Sequence, residues 1–441
     1  MRHRHEELRT GRTRTLTGRE HHGSAETHDS IEFRGRSYRS AKAFRAGTHR
    51  TQSPEDTFRL VRPYLAKAGV TRIADVTGLD HIGVPTTLAL RPNAPTMACS
   101  SGKGVTLDQA YVSGAMEAFE LHASETTPLS PIRASYRDLS KSYPMPTVTN
   151  LSLAQYSLFT VDWPFYWCLG WDLISQSEIP VPMAMVGMSR ASQVGSLRAF
   201  QVSSNGLGAG NSFLEAVTSG LYEVIERDGT ACHFHAATHR QRPIPLVSDL
   251  ALRSFPLVAG VLQKCDQAAV GVLVQECVVD TNVPTYNALT YDTTDRGVPV
   301  TRGSGAHLDP EIALLRAITE ALQGRLNFIA GSRDDLFRSA YSRIRAGWRD
   351  TVNALQDLRT HCPEATPMES RASDAFETDI LDLLSCVQRT GLRNVVVIDL
   401  TPPDFPVFVV RVLVPGLEGY VHHGYQPGPR AANFEGQGVW R

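Results

Sequence analysis

The chain has 441 residues, 44 Lys plus Arg against 45 Asp plus Glu, and 42% hydrophobic residues, a composition that excludes fibrous, collagen-like and globally disordered proteins. A formal net charge of -1 supplies no overall positive field, so binding of nucleic acid or anionic lipid through bulk charge is disfavoured. Apolar stretches such as 395–398 and 407–410 are strand-sized, far short of the roughly 20 residues that span a bilayer. The Arg- and His-rich start contains no apolar h-region, so the expectation is a cytoplasmic protein without membrane contact. Seven dispersed cysteines, Cys99, Cys168, Cys232, Cys265, Cys277, Cys362 and Cys386, form no CxxC pair and predict reduced, mostly buried thiols rather than a zinc site.

In chain order, residues 1–40 carry almost no large apolar side chain before Ile31 and predict a disordered tail, with 41–441 as one large α/β unit. A helix is predicted over 53–68, opened by Ser53-Pro54, followed by strands near 72–76 and 86–90. Short strands then alternate with helices to the carboxyl end. The β-branched segments 270–279, 395–400 and 407–414 predict central strands, and the fold class is α/β.

An internal echo dominates the middle of the chain. Ala110-x-x-Ser113-Gly114-x-x-Glu117-x-x-Glu120 matches Ala216-x-x-Ser219-Gly220-x-x-Glu223-x-x-Glu226 position for position, and Ala313-x-x-Arg316-Ala317-x-x-Glu320-x-x-Gln323 repeats the frame. Three helices therefore carry one template. Each follows a glycine-rich segment read as a turn: Ser101-Gly102-Lys103-Gly104, then 205–210, then Gly303-Ser304-Gly305. Thr106 with Gln109 and Ser212 with Glu215 fit capping boxes, and Asp309-Pro310 is an N-cap followed by proline at the first helical position.

At about 100° per residue, Glu117 and Glu120 share one helix face, and Glu215, Glu226 and Glu223 fall near about 40°, 60° and 120° from Asn211. Arg316, Glu320, Gln323 and Asn327 form a polar stripe on the third helix, with Arg325 pointing the other way. Taken singly, each glutamate reads as a solvated helix-face charge, and Glu215 also reads as the capping partner of Ser212. Repetition favours a shared site. Clustered carboxylates facing an interior need a compensating charge, which magnesium supplies, while glycine turns at helix amino termini suit phosphate oxygens. Lys103, Arg227 and Arg316 are the cations aimed at phosphates. The glycine segments match neither a Walker A loop nor GxGxxG. His235 and His239, spaced i, i+4, could be read as a metal comb, but with His233 they sit near a helix end that suits histidine without a metal. Cys232 reads as a packed thiol, and the aromatic run Trp163 to Trp167 with Trp171 as core, interface or peptide-binding surface.

These same segments, from Ser101 to Glu120, from Asn205 to Asp228 and from Gly305 to Gln323, resemble the YcaO family of ATP-dependent peptide-modifying enzymes, and the resemblance covers most of the chain from Lys42 onward. It implies a YcaO-type ATP-binding fold with mixed sheets and packed helices, distinct from P-loop and protein-kinase folds. It implies ATP and Mg2+ as cofactors, with metal carboxylates at Glu117, Glu120, Glu215, Glu223 and Glu226, and nucleotide positions at Asn211, Arg227, Arg316 and Glu320, to which Lys103 and Gln323 are added. Catalytic roles would fall to Glu117, Glu120, Glu223, Glu226 and Arg316.

The implied chemistry is activation of a backbone amide by phosphorylation of its oxygen, giving a thioamide from sulfide, an azoline from a neighbouring Cys, Ser or Thr, or an amidine from an amine. The segments Phe44 to Arg50, Ser53-Pro54-Glu55 and Ala74 to Leu79 look like the branch that works beside a TfuA-type partner in thioamide formation, on a precursor peptide or protein in ribosomal peptide natural-product or protein modification. The last residues, Phe434 to Arg441, lack the PxPxP tail common in cyclodehydratases. A homodimer is implied by the resemblance alone. A non-catalytic nucleotide-binding scaffold is the reading from another functional class. Where many members carry Glu-Arg after the first helix's last glutamate, Glu120 is followed here by Leu121 and His122, which would relocate a cation or polar contact.

Overall fold

The structure is a computed structural model that describes residues 30–196, 198–294, 297–333, 348–419, 421 and 425–435. Of the expected 1–40 tail, residues 1–29 lie outside the described residues, but the last part is corrected. Strands β1 (Ile31–Phe33) and β2 (Arg36–Tyr38) form an antiparallel hairpin with Ile31 and Phe33 buried. Its two-residue turn has positive φ at Arg34 and Gly35, the geometry that matches the right-handed twist of paired strands.

Helix α1 (Pro54–Val61) starts where expected, with the Ser53 hydroxyl accepting from Asp56 N, but ends short of residue 68. Arg62 keeps helical geometry, but Pro63 has no N–H to donate to the preceding turn, and the chain continues as one 3-10 turn. Strands β3 (Arg72–Asp75), β4 (Thr86–Leu90) and β5 (Cys99–Lys103) follow, then α2 (Leu107–Thr126), capped by Thr106. After β6 (Ile132–Ser135), β7 (Pro164–Asp172) and β8 (Ser177–Pro182) come β9 (Leu207–Gly210) and α3 (Phe213–Arg240), capped by Ser212. The remaining elements used below are β10 (Leu246–Val247), β11 (Val270–Glu276), β12 (Thr285–Asp292), β13 (Thr301–Ala306), α4 (Pro310–Ala330), β14 (Glu364–Ala365), α5 (Phe376–Arg389), β15 (Val396–Asp399) and β16 (Phe408–Leu413).

Among the described residues the larger sheets run β3-β4-β5, β6-β7-β15-β16-β9 with β8 on β7, and β13-β12-β11-β10-β14. All pairings are antiparallel except β10 with β14. The six-stranded sheet is covered on both faces. Val397, Val410 and Val412 pack with Leu221 and Ile225 of α3 and with Leu383 of α5, while Val396, Val409 and Leu413 pack with Phe119 of α2. The five-stranded sheet packs Val272, Val274 and Ala288 against Leu314, Ile318 and Leu322 of α4. Burial on both faces explains why the strands around 270, 396 and 409 read as continuous apolar runs.

One consequence of this topology positions the site. Strands β5, β9 and β13, which precede the three template helices, are each the edge strand of a different sheet. No helix among the described residues is long and apolar enough to cross a membrane.

Candidate functional site

Most glycines of the repeat, Gly102, Gly208, Gly210, Gly303 and Gly305, lie in strands and not in phosphate-cradling turns, which corrects the sequence reading; Gly104 follows β5, and Gly206 is in the turn before β9. Gly102, Gly208 and Gly305 occupy equivalent places in β5, β9 and β13. A Cβ at Gly208 would stand 2.7 Å from Gly220 N, and one at Gly305 would stand 2.7 Å from Ala317 N; all three would collide with the carbonyl oxygens of Ala110, Ala216 and Ala313. Glycine is required because each helix backbone lies directly on its own strand. The small residues at 110, 114, 216, 220, 313 and 317 are the other half of that contact.

Edge strands leave N–H groups unpaired, and the template glutamates accept from them. Ser101 N donates to Glu117 at 3.2 Å and Ser304 N to Glu320 at 3.4 Å from equivalent strand positions, whereas in the second unit the donor to Glu223 is Gly206 N, at 3.2 Å, in the turn just before β9.

The units are also linked in a ring. Helix α2 packs on β9, α3 on β13 and α4 on β5. Glu120 of the first unit accepts from Ala209 N of the second at 2.7 Å, and Glu226 of the second faces Arg316 of the third at 4.0 Å. Glu320 of the third meets Lys103 of the first at 2.6 Å, with Ser101 Oγ donating to Asn327 Oδ1 at 2.8 Å alongside. Side chains that are two hundred residues apart in sequence therefore share one neighbourhood.

Its electrostatics are those of crowded carboxylates. Burial pushes the Glu117 carboxyl up to about 7 against the pull of Lys103. Burial, then the charges of Glu223 and Glu117, raise Glu120 well above the carboxylate range. Glu226 is raised by burial, which outweighs Arg227 and Arg316. At Glu320 burial is opposed by Lys103, Arg227 and Arg316, and the carboxyl ends below its ordinary value. Glu215 is a sixth carboxylate of this neighbourhood; Arg50, Lys103, Arg227 and Arg316 are set against the group, with Arg333 acting on Glu117 and Arg411 on Glu223.

Arg50 was not singled out by sequence reasoning as a site residue. Its segment precedes α1 and docks on the start of α3: Thr51 N and Oγ1 donate to Glu215 Oε2 at 3.0 and 2.8 Å, and Arg50 Nε lies 3.6 Å from Glu215 Oε1. Glu215 therefore completes only half a capping box. Its N–H reaches Ser212 Oγ at 3.2 Å, while its carboxylate turns to Thr51 and Arg50. The available signal was the run His49-Arg50-Thr51 directly before a helix cap, polar residues with no apolar face.

Several polar atoms here are buried without a hydrogen-bond partner: Asn211 Oδ1, Glu215 Oε1 and Arg316 Nε. Asn211 Nδ2 donates to Thr57 Oγ1 at 2.9 Å, which leaves its oxygen as the group still to be satisfied. Two oxygen acceptors and a guanidinium donor suit a hard cation and an anionic oxygen together, so the residues present fit Mg2+ with phosphate. Among the described residues no three His, Cys, Asp or Glu side chains form a ready metal-binding group.

Other expectations resolve locally. Gln323 occupies the template position of Glu120 and Glu226 and is buried, so the third unit contributes a neutral amide where the others contribute charge. Arg325 points away and pairs with Asp80 at 2.6 Å and Asp292 at 2.9 Å. His122 stacks on Phe405, 5.4 Å between ring centres, and packs rather than supplying a cation. His235 and His239 have rings 4.5 Å apart with no third ligand among the described residues, and His233 Nε2 lies 2.9 Å from Val278 O. None of the seven cysteines is in a disulfide, and burial raises the Cys232 thiol well above its usual range, as expected of a packed thiol. Phe165 and Trp167 are buried in β7, whereas Trp163 is exposed.

Comparison with known proteins gives consistent matches. The model of a family described as YcaO cyclodehydratase, ATP- and Mg2+-binding, matches residues 101–418. An uncharacterized protein in the tfuA 3' region of Rhizobium leguminosarum bv. trifolii is 33% identical over 398 residues, covering 87% of this chain and 92% of the relative. An uncharacterized protein of Methanothermobacter thermautotrophicus is 35% identical over 380 residues, covering 83% and 94%. Among solved structures, YcaO from Methanopyrus kandleri bound with AMPPCP and Mg2+ superposes with a TM-score of 0.67 at 24% identity, over 86% of this chain and 95% of that one. A heterocyclase in complex with substrate and cofactor superposes at 0.71 with 23% identity over 91% of this chain, which spans 56% of the heterocyclase.

Proposed function

The chain belongs to the YcaO family, whose members bind ATP and Mg2+, and from that premise we propose that it activates a backbone amide of a peptide or protein for thioamide formation. The observation that carries the reading is the ring of three strand–helix units, which sets Glu117, Glu120, Glu223 and Glu226 beside Arg316, Lys103 and Glu320. Each unit brings carboxylate and cation together, Lys103 in the first, Arg227 in the second and Arg316 in the third, which suits metal and phosphate held side by side.

In this reading Glu117, Glu120, Glu223 and Glu226, with Glu215 and Asn211 at the start of α3, hold Mg2+, which when bound neutralises and orients the triphosphate. Arg50, Lys103, Arg227 and Arg316 contact phosphate oxygens, with Glu320 and Gln323 orienting them through the polar stripe of α4. Hydrosulfide adds to the amide carbon, and the oxyanion so formed takes the γ-phosphoryl group of ATP as ADP leaves. The C–O bond then breaks, hydrogen phosphate departs with the proton that came with sulfur, and C=S remains.

The position of the Rhizobium relative in a tfuA 3' region supports a TfuA-like partner and therefore the sulfur product. The second reading, azoline formation, is favoured by the cyclodehydratase description of the family. Incubating the protein and a TfuA-like partner with peptide, Mg-ATP and sulfide separates them. Thioamide formation exchanges oxygen for sulfur in the peptide mass, whereas ring closure loses water without sulfide. Phosphate release with neither change would overturn both, and ATP binding with no phosphate release would leave a nucleotide-binding scaffold.

A further inference from the structure

Residues 42–51 dock on the start of α3 and touch all three units. The segment is a tight loop: Phe44 N donates to Arg50 O and Arg50 N to Phe44 O, both at 2.9 Å, and Gly47 at its middle has φ +74°. At the first unit, Gln109 Nε2 donates to Ala46 O at 2.8 Å, and Gly47 lies against Val105. At the second, Thr51 holds Glu215 and Arg50 faces it. At the third, the His49 ring meets His307 edge-on, 5.0 Å between centres.

Buried charge anchors the base of this loop. Lys42 Nζ pairs with Asp379 of α5 and donates to Ser373 O at 3.0 Å and to His49 Nδ1 at 3.3 Å, so its three protons have three acceptors. An ammonium offers no acceptor, so His49 Nδ1 must accept, and that bond with the His307 contact holds the ring. Asp379 also accepts from Ser373 N and Oγ, both at 2.8 Å, and from the Tyr222 hydroxyl at 3.4 Å. The same hydroxyl accepts from Leu308 N at 3.4 Å, which ties the anchor to α3 and to the start of α4.

A buried ion pair adds little net stability over apolar side chains of similar volume, because desolvation offsets the attraction. What a fully satisfied buried network does supply is one fixed geometry. Here the fixed residue is His49, and the next is Arg50, whose Nη1 donates to His49 O at 2.8 Å and whose Nε faces Glu215 Oε1 at 3.6 Å. Lys42 and Asp379 are sealed in the core, whereas the Arg50 side chain is 34% exposed and open to a ligand. We infer that Lys42, Asp379 and His49 are positioning residues: they hold the 42–51 loop across the three units so that Arg50 reaches the phosphate oxygens of Mg-ATP, and they touch no nucleotide themselves. This assignment rests on the reading of the site above, in which Arg50 contacts phosphate.

The test is a double-mutant cycle on the full chain, with Mg-ATP affinity read by isothermal titration. Lys42→Met combined with Asp379→Asn removes both charges at nearly constant volume, keeps an amide oxygen for Ser373, and takes away the donor that orients His49. Arg50→Gln is expected to weaken binding about tenfold, the scale of one charge-assisted contact. The paired replacement should weaken binding at least about threefold in the wild type but less than about 1.5-fold in the Arg50→Gln background, because it acts through Arg50. A merely structural role predicts the same loss in both backgrounds. That result, or unchanged affinity on paired replacement in the wild type, would overturn the inference. His49→Phe keeps a ring against His307 and leaves both charges in place, and it should show the same dependence on Arg50, so it decides should the paired replacement fail to fold. The two readings separate: unchanged affinity in Arg50→Gln removes Arg50 from the phosphate site and the inference with it, whereas a loss in Arg50→Gln without coupling removes the positioning role alone.

Discussion

Replacing Gly208 by alanine places a methyl group between β9 and α3 at the point where the second unit is tightest. The added carbon would stand 2.7 Å from Gly220 N and collide with Ala216 O, and both are backbone atoms that no rotamer change can move aside. Restoring ordinary contact requires the strand and helix to part by roughly 1 Å, and overpacking of this kind costs about 1–3 kcal/mol. The helix that must shift carries Glu215, Glu223 and Glu226, so Mg-ATP affinity falls with stability. The matched control is Gly260→Ala, in the helix Pro256–Gln267, where a Cβ has nothing within 4 Å. Removing a helix-interior glycine without a clash stabilises by about 0.5–1 kcal/mol. Urea unfolding followed by far-UV circular dichroism should move in opposite directions for the two variants. A Gly208→Ala protein as stable as the wild type, binding nucleotide equally well, would refute the packing argument for the repeated glycines.

Arg430 pairs with buried Asp228 and with Asp280, so Arg430→Met leaves a carboxylate uncompensated in the core and should cost about 3–5 kcal/mol, read from the unfolding midpoint. Burial lowers the His233 ring from 6.5 to about 4, so between those pH values the unfolded chain holds a proton that the folded chain excludes. Stability is therefore lost as pH falls through that window, by up to about 3 kcal/mol from this group, and His233→Phe should flatten the pH dependence of the melting temperature. Lys103→Met removes the partner of Glu320 and a phosphate-facing cation, and should weaken ATP binding about tenfold while making it less sensitive to salt. Unchanged affinity and salt dependence would return Lys103 to a purely structural pairing.

What was legible in the sequence was whatever repeats or caps locally. The three template helices begin at Thr106, Ser212 and Asp309 as their capping residues indicate, and the glutamates share faces as the helical period requires. The direction of Arg325 was legible for the same reason. The glycines were misread because Gly-x-Gly before a helix has two causes, phosphate approach and helix-on-strand packing, and only the register of Gly102 on Ala110 or Gly305 on Ala313 separates them. The hairpin at Ile31 was missed because its strands are three residues long and Arg34 gives no turn signal, although Gly35 does. The ring of units was not legible at all. It depends on β5, β9 and β13 each ending as a sheet edge: β5 and β13 pair with the strands just before them, β4 and β12, but β9 pairs with β16 far away in sequence, and the docking of each helix on another unit's strand has no local signal. For the same reason Arg50 gained meaning only when the fold placed it beside Glu215.

Whether carboxylates of different units serve one Mg-ATP is tested most directly by a double-mutant cycle across the ring. Isothermal titration of Mg-ATP into the wild type, Glu120→Gln, Glu226→Gln and the double variant gives the coupling between a residue of the first unit and one of the second. A common site predicts about tenfold or greater loss for each single variant and a double variant much less impaired than the sum of the two. Strictly additive losses, or wild-type affinity in either single variant, would contradict it.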